Sequence, residues 1–147
     1  MQEEIGLRGA KTSAYGIDPH VGIACDVGFT SDHPTVDKTQ LGELSLDKGP
    51  IVSRGANINP VVFDMLVTAS RAKKIPCQIS AAPRATGTDA NFIQLTRSGV
   101  AAGLVSVPNR YMHTPVEIIS IKDLENTARL LAEFVKSVKE KTDFTPK

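Results

Sequence analysis

Residues 20–27 read His-Val-Gly-Ile-Ala-Cys-Asp-Val, a short apolar run that closes on Asp26 and a valine. A run of this length and composition is typical of a buried strand. Comparable short segments follow along the chain, at residues 51–53, 76–81, 100–107 and 116–120. Helical patterns fill the intervals between them. Strands and helices therefore alternate, which predicts an α/β fold with a largely parallel sheet.

Two of the predicted helices lie in the first half of the chain. Residues 8–15 are rich in small side chains that permit close packing. Asn59 and Pro60 suit the N-cap and the first position of a helix that runs to about Lys74. The candidates for its packing face are Val61, Met65, Val67 and Ala69. Residues 28–50 are rich in Gly, Pro, Asp, Ser and Thr, which predicts a long loop of the kind that is commonly functional.

Two further helices are predicted in the second half. Thr88 and Asp89 introduce a helix that ends at Gly99. The last helix begins near Ser120, and its apolar residues fall on one stripe: Leu124, Ala128, Leu131, Ala132, Val135 and Val138. The residues after Lys141 are expected to fray, as chain ends commonly do.

Composition excludes several classes of function. A chain of 147 residues suits one domain with a real core. Its net charge of +1 gives no electrostatic reason to expect nucleic acid or an anionic membrane as a partner. No apolar run approaches the roughly 20 residues of a membrane span. Cys25 and Cys77 lie in apolar stretches without metal-type spacing, which predicts buried free thiols and a cytoplasmic protein.

Acidic and imidazole side chains fall at one expected edge of the sheet. Glu3 and Glu4 stand at the start of the chain, Asp26 closes a strand, and His113 lies in a later loop. Ligands gather at the carboxyl ends of parallel strands, and carboxylate and imidazole groups suit zinc or cobalt. One of two adjacent glutamates can bind a metal while the other acts as general base on its water. Taken singly, each group also has a plainer interpretation as surface charge, a turn cap or a satisfied loop histidine.

Four motifs occur in a fixed order: Gln-Glu-Glu-x-Gly-x-Arg-Gly-Ala at residues 2–10, Asp-Val with a later Asp-x-Pro at 26–34, Gly-Thr-Asp-Ala within 87–95, and Arg-Tyr-x-His-x-Pro-x-Glu at 110–117. As a set they resemble the glutamyl or deblocking aminopeptidases, dinuclear metallopeptidases that include the tetrahedral archaeal enzymes. The resemblance covers essentially all 147 residues. It implies a three-layer α/β sandwich with a mixed, largely parallel sheet, like that of other zinc peptidases.

The resemblance also implies a role for each candidate residue. Glu3 takes the role of general base, and Glu4 that of a metal ligand. Asp26 binds the second metal, and His113 shares a metal with Glu4. The implied cofactors are two divalent ions, zinc or cobalt. The implied reaction is removal of N-terminal residues from peptides by a homo-oligomeric enzyme.

Four neighbouring residues have two interpretations each. Arg110 and Tyr111 flank His113, and they either contact the substrate or lock the loop. Thr88 and Asp89 either line the specificity pocket or cap the helix that follows. The capping interpretation is the favoured one for this second pair.

The family pattern includes a histidine and a metal-bridging aspartate upstream of the Glu-Glu pair, together with an inserted β-rich domain. Residues 1–147 are therefore expected to be the C-terminal portion of the catalytic domain, incomplete at the N-terminus. Such a piece is expected to have partial or no metal occupancy and negligible activity alone. A non-catalytic binding or scaffold module and half of a split enzyme remain alternatives. Relatives labelled endoglucanases make glycoside hydrolysis a minor alternative.

Overall fold

The sheet that the sequence predicts is present, and helices pack against it. A computed structural model describes residues 2–146. Its helices are α1 (Arg8–Ile17), α2 (Lys38–Leu41), α3 (Pro60–Lys73), α4 (Ala90–Ile93) and α5 (Ile121–Ser137). Its strands are β1 (Val21–Phe29), β2 (Ile51–Gly55), β3 (Gln78–Ala82), β4 (Ala101–Arg110) and β5 (Ile118–Ile119).

The sheet is mixed and mostly parallel. Its order is β1-β4-β2-β3, with β5 paired to β4. β1 runs parallel to β4 over their whole length, and β2 runs parallel to β3. β4 is antiparallel to β2, where Ile51 pairs with Ser106, and to β5. The predicted α/β class and sheet type are confirmed.

Helices cover both faces of the sheet. A Cβ added at Gly22 would meet Ile93 of α4, whereas one at Gly103 would meet Val62 of α3. Ile23 is the sheet partner of Gly103 and lies one residue beyond Gly22, so the two glycines face opposite sides. α4 and α3 therefore lie on opposite faces, which gives the three layers.

β4 is the most deeply buried element. Its residues 102–109 are all buried. A strand with neighbours on both edges and helices on both faces is expected to be mainly apolar, and Ser106 and Asn109 are the buried polar residues of this one. The core around it includes five fully buried side chains: Val52, Val62, Leu66, Val105 and Leu130. β4 also leads directly to the loop that carries His113.

The capping prediction for α3 is confirmed. The Asn59 side chain accepts hydrogen bonds from Val61 N and Val62 N, at 2.9 and 3.1 Å, and Pro60 is the first helical residue. The predicted packing face is partly wrong, since Val61 and Met65 are only half-buried. The buried face consists of Val62, Phe63, Leu66, Val67, Ala69 and Ser70.

The predicted stripe of α5 is largely wrong, although Leu131 and Val138 pack partly buried against the core. Leu124 and Val135 are 46% and 68% exposed. The buried side chains are instead Asp123, Thr127, Leu130 and Phe134. Asp123 accepts hydrogen bonds from the backbone N–H groups of Asp47 and Gly49 at 2.8 and 2.7 Å. These contacts satisfy a buried carboxylate, so the helix turns a partly polar face inward.

Two other local expectations also fail. The tail does not fray at Phe144, which packs against the core while its carbonyl accepts a 2.8 Å hydrogen bond from Asn59 Nδ2. Both cysteines are free, but Cys25 is exposed and Cys77 is partly exposed, so neither is a buried thiol. Cys25 lies on β1, which is the first strand of the sheet order and so has one uncovered edge. No helix within residues 2–146 is long and apolar enough to cross a membrane.

Candidate metal centre and active site

One cavity of about 360 Å³ collects the principal candidate residues. Glu3, Glu4, Asp26 and His113 all line it, and Thr88 does so too. They come from the N-terminal segment, β1, the loop after β4 and the segment before α4. The cavity lies against the sheet, with Ser53, Ser80 and Ser106 among the strand residues in its wall. The predicted convergence of the four principal residues at one edge is therefore present in the structure.

The local setting of two candidates differs from expectation. Asp26 does not end its strand, because β1 continues to Phe29. Glu3 and Glu4 do not follow a strand among the described residues. They lie in a turn, where the Glu3 carbonyl accepts a hydrogen bond of 2.8 Å from Leu7 N, just before α1. The secondary-structure elements that carry these acids therefore differ from those that the sequence predicted.

The side chains of Glu4 and His113 are in direct contact. His113 Nε2 lies 3.4 Å from Glu4 Oε1, and the side chains are 64% and 75% exposed. The His113 ring also meets the Phe29 ring edge-on, with centroids 6.4 Å apart. Such an imidazole and carboxylate can share a divalent cation. No group of three or more His, Cys, Asp or Glu side chains within residues 2–146 is arranged to hold a metal.

The charges of neighbouring acids act on the Glu3 carboxyl. The pKa of the Glu3 carboxyl is raised above its ordinary value, first by burial and then by the nearby charges of Asp26, Glu4 and Asp89. His113 acts in the opposite direction. An acid whose pKa is raised by burial and like charges can hold a proton more readily than an exposed glutamate. The cavity thus places a proton acceptor beside candidate metal ligands.

Glu117 braces the loop that carries His113. One of its oxygens accepts a hydrogen bond from His113 N at 2.6 Å, and the other accepts one from Asn109 Nδ2 at 2.8 Å. The Asn109 amide and the His113 backbone N–H hold the pKa of the Glu117 carboxyl below its usual range. The loop is thereby tied to the buried end of β4.

Arg110 holds the start of the loop that carries His113. Its guanidinium donates to both oxygens of Asp32, at 2.9 and 2.7 Å, and Asp32 also accepts from Leu46 N at 3.0 Å. The hydrogen bonds from Arg110 hold the pKa of the Asp32 carboxyl well below its usual range. Tyr111 packs on His33 with ring centroids 4.6 Å apart. Neither Arg110 nor Tyr111 is among the residues that line the cavity, and their substrate role stays a prediction.

Thr88 and Asp89 lie just before α4, where each was expected either to line the specificity pocket or to cap the helix. Thr88 lines the cavity, with its hydroxyl 3.0 Å from that of Thr86. Asp89 occupies the N-cap position of α4, yet its side chain makes no capping hydrogen bond. Its Oδ1 is buried without a hydrogen-bond partner among the described residues. The favoured capping interpretation is therefore wrong for Asp89, and the pocket role of both residues stays a prediction.

The sequence did not single out the serines of the cavity wall. Ser53 and Ser106 are 6% and 4% exposed, and each directly follows apolar residues of its strand. Ser106 pairs with both Asp26 and Ile51 across the sheet. A polar residue inside an apolar strand was the available signal, because buried polar groups need partners or a polar cavity.

The comparisons with known proteins define the class of this fold as that of a peptidase. A family model described as M42 glutamyl aminopeptidase matches residues 1–130, and the chain belongs to that family. The predicted resemblance is therefore confirmed.

Particular relatives agree with this assignment. The chain is 44% identical to a lysyl aminopeptidase of Pyrococcus furiosus, over 99% of this chain and 41% of that protein. It superposes with a TM-score of 0.85 on an aminopeptidase from the archaeon Desulfurococcus kamchatkensis, at 41% identity, covering 94% of this chain and 40% of the other. A TET1 peptidase of Pyrococcus horikoshii, described as assembling into a tetrahedron or a large octahedral shell, gives a TM-score of 0.70 at 26% identity, covering 90% of this chain and 38% of the other. The chain thus spans about two-fifths of the length of these relatives.

Proposed function

We propose that this chain forms part of a metal-dependent aminopeptidase that removes N-terminal residues from peptides. The observation that carries the proposal is the approach of His113 Nε2 to within 3.4 Å of Glu4 Oε1, in a cavity that Glu3 and Asp26 also line. Membership of an aminopeptidase family supports the reaction class. The same residues are the ones that the family motifs assign to catalysis.

The donor set fits divalent cations in part. Glu4 and His113 would hold one ion, and Asp26 would contribute to a second. Carboxylate oxygen and imidazole nitrogen are ligands that zinc and cobalt both accept. Two donors on one ion and one on the other fall short of a closed site, so this chain alone is expected to bind either metal weakly. When bound, such ions supply Lewis acidity that polarises a carbonyl and lowers the pKa of water.

Glu3 is the proposed general base. Its carboxylate accepts a proton from the attacking water and then donates it to the leaving amine of the cleaved peptide. The position of Glu3 in the wall of the cavity that Glu4, Asp26 and His113 also line supports the role. An ion held by these residues would also supply a coordination site for the free α-amino group of the substrate, which suits exopeptidase cleavage.

The substrate preference and the assembly belong to the same proposal. Peptides are the substrate class, and the lysyl specificity in the name of one relative is not transferred to this chain. We expect a homo-oligomer, in line with the assembly described for the Pyrococcus horikoshii peptidase, and a cytoplasmic location. A scaffold role and half of a split enzyme are less favoured, because the charged cavity side chains converge. Glycoside hydrolysis is disfavoured since adjacent Glu3 and Glu4 are poorly placed to flank a glycosidic bond.

Activity measurements test the proposal. The complete protein that carries this chain should hydrolyse aminoacyl p-nitroanilides, and Glu3→Gln should lower kcat by about 10²- to 10⁴-fold, the usual contribution of general acid–base catalysis. Glu125→Gln, on the exposed side of α5, is the matched control and should leave kcat unchanged. Residues 1–147 alone should show negligible turnover. Wild-type activity in the Glu3→Gln protein would contradict the assignment of the base.

A further inference from the structure

The position of the His113 ring depends on the backbone of an exposed loop. His113 has φ of 65° and Tyr111 has φ of 59°, so two residues without glycine's freedom adopt the left-handed conformation close together. Such conformations persist only where the surrounding contacts hold them. The ring itself is mostly exposed, and its contacts within residues 2–146 are with the Phe29 edge and Glu4. The backbone therefore has to be fixed by something other than packing of the ring.

Glu117 supplies a direct connection from this backbone to the sheet. One carboxylate oxygen accepts from His113 N at 2.6 Å. The other accepts from the side-chain amide of Asn109 at 2.8 Å, and Asn109 is 1% exposed at the end of β4. Hydrogen bonds to an ionised acceptor are the stronger kind. A single side chain thus links the deepest strand to the residue that bears the candidate metal ligand.

Other contacts in the loop do not replace this link. Asp32 holds Arg110 and Tyr111 packs on His33, but these contacts act on the two residues that begin the loop and not on His113. Thr114 bonds to Tyr111 and Val116, which are themselves members of the loop. Glu117 also does not line the cavity, and both of its oxygens are engaged. Its place in the structure is therefore that of a support for His113.

We propose that Glu117 is a positioning residue, which fixes the His113 backbone to β4 and so preorganises the imidazole for a divalent cation. The cation-binding half of this inference rests on the proposed function. The other half, that Glu117 fixes the His113 backbone to β4, concerns the loop alone and does not depend on a metal. Partners outside the ligand shell commonly set metal affinity by orienting the ligand, and their loss weakens binding by about 10- to 100-fold.

NMR spectroscopy on the 147-residue chain tests both halves. The variants are Glu117→Ala, Glu117→Gln and the control Glu125→Gln. Without metal, the His113 amide should exchange roughly tenfold faster in Glu117→Ala, in keeping with loss of a hydrogen bond to a charged group. A zinc titration followed at the His113 ring nitrogens should give a Kd about tenfold or more weaker. Glu117→Gln, which keeps one acceptor, should fall between, and Glu125→Gln should match the wild type.

The outcomes separate this inference from the proposed function. An unchanged exchange rate of the His113 amide in Glu117→Ala would contradict the proposal that Glu117 fixes the His113 backbone. Faster exchange with an unchanged zinc Kd would reduce Glu117 to a loop-stabilising residue, which overturns the positioning role while the metal assignment stands. If zinc leaves the wild-type His113 ring signals unshifted at millimolar concentration, the positioning role is overturned for the 147-residue chain, whereas the metal role of His113 is decided on the complete protein. Equal melting temperatures of Glu117→Ala and the wild type would ensure that a change in Kd is local.

Discussion

Replacing Asp123 by alanine should lower the free energy of unfolding by about 3 kcal/mol. Asp123 is 0% exposed and accepts hydrogen bonds from Gly49 N at 2.7 Å and Asp47 N at 2.8 Å. Gly49 is buried, so its N–H would lose a charged partner that no water replaces, at about 2–3 kcal/mol. Asp47 is exposed, and water can take the place of its partner at about 0.5–1 kcal/mol.

Urea unfolding followed by circular dichroism measures this loss. With a slope of about 2 kcal/mol per molar urea, the midpoint should fall by about 1.5 M. Asp123→Asn keeps one acceptor oxygen and should lose roughly half as much. Glu125→Gln, on the exposed side of the same helix, should stay within about 0.5 kcal/mol of the wild type. A loss below about 1 kcal/mol in Asp123→Ala would refute the view that this carboxylate pins the long loop to α5.

Two further predictions concern the loop at residues 28–50 and the ion pair between Arg110 and Asp32. Gly49 and Gly42 have φ of 85° and 81°, but only at Gly49 would a Cβ meet backbone, 2.0 Å from the Pro76 oxygen. Gly49→Ala should therefore unfold at a melting temperature well below that of Gly42→Ala, which carries only the left-handed cost of about 1–2 kcal/mol; equal melting temperatures would contradict this. Arg110 lowers the pKa of Asp32, so the ionised carboxylate stabilises the folded state above the ordinary pKa of about 3.9, and this contribution is lost as the pH falls. Urea titrations measure the difference in free energy of unfolding between the wild type and Asp32→Asn. This difference should be constant from pH 7 to 5 and should narrow below about pH 4. A difference that widens below pH 4 would contradict the ion pair between Arg110 and Asp32.

Local signals in the sequence predicted the elements well where a few neighbouring residues decide the outcome. Asn59 and Pro60 set the start of α3 because the cap and the first turn involve only adjacent residues. The buried strand that leads to His113 was predictable because β4 is covered on both faces and its residues are therefore mainly apolar. The placement of β4 between β1 and β2 was not, since strand order depends on contacts between distant segments.

The face of α5 shows why periodicity alone fails. Leu124 and Val135 give the stronger apolar pattern, yet the helix buries Asp123 and Thr127. Two backbone N–H groups from a loop more than 70 residues away satisfy Asp123, and no window of local sequence contains them. The serines of the cavity wall escaped notice for the same reason. Their meaning depends on strands that meet only in the folded chain.

The candidate site was predictable because the motifs identify their residues one by one. Glu4 and His113 are separated by most of the chain, and the motifs predicted that they share a metal. The structure brings them within 3.4 Å of each other. Sequence reasoning did not predict the support of that site, which Glu117 and Asp32 provide. Carboxylates of this kind look like ordinary surface charges until their hydrogen-bond partners are known.

Anomalous diffraction at the zinc absorption edge, on crystals of the complete protein grown with zinc, tests the central claim most directly. The account predicts a peak about 2.0–2.2 Å from both a Glu4 carboxylate oxygen and the His113 imidazole nitrogen. The same crystals should show Asp26 directed at a second peak, with the Glu3 carboxylate beside the pair. Active protein with no anomalous peak at Glu4 and His113, or with its metal held elsewhere, would contradict the assignment.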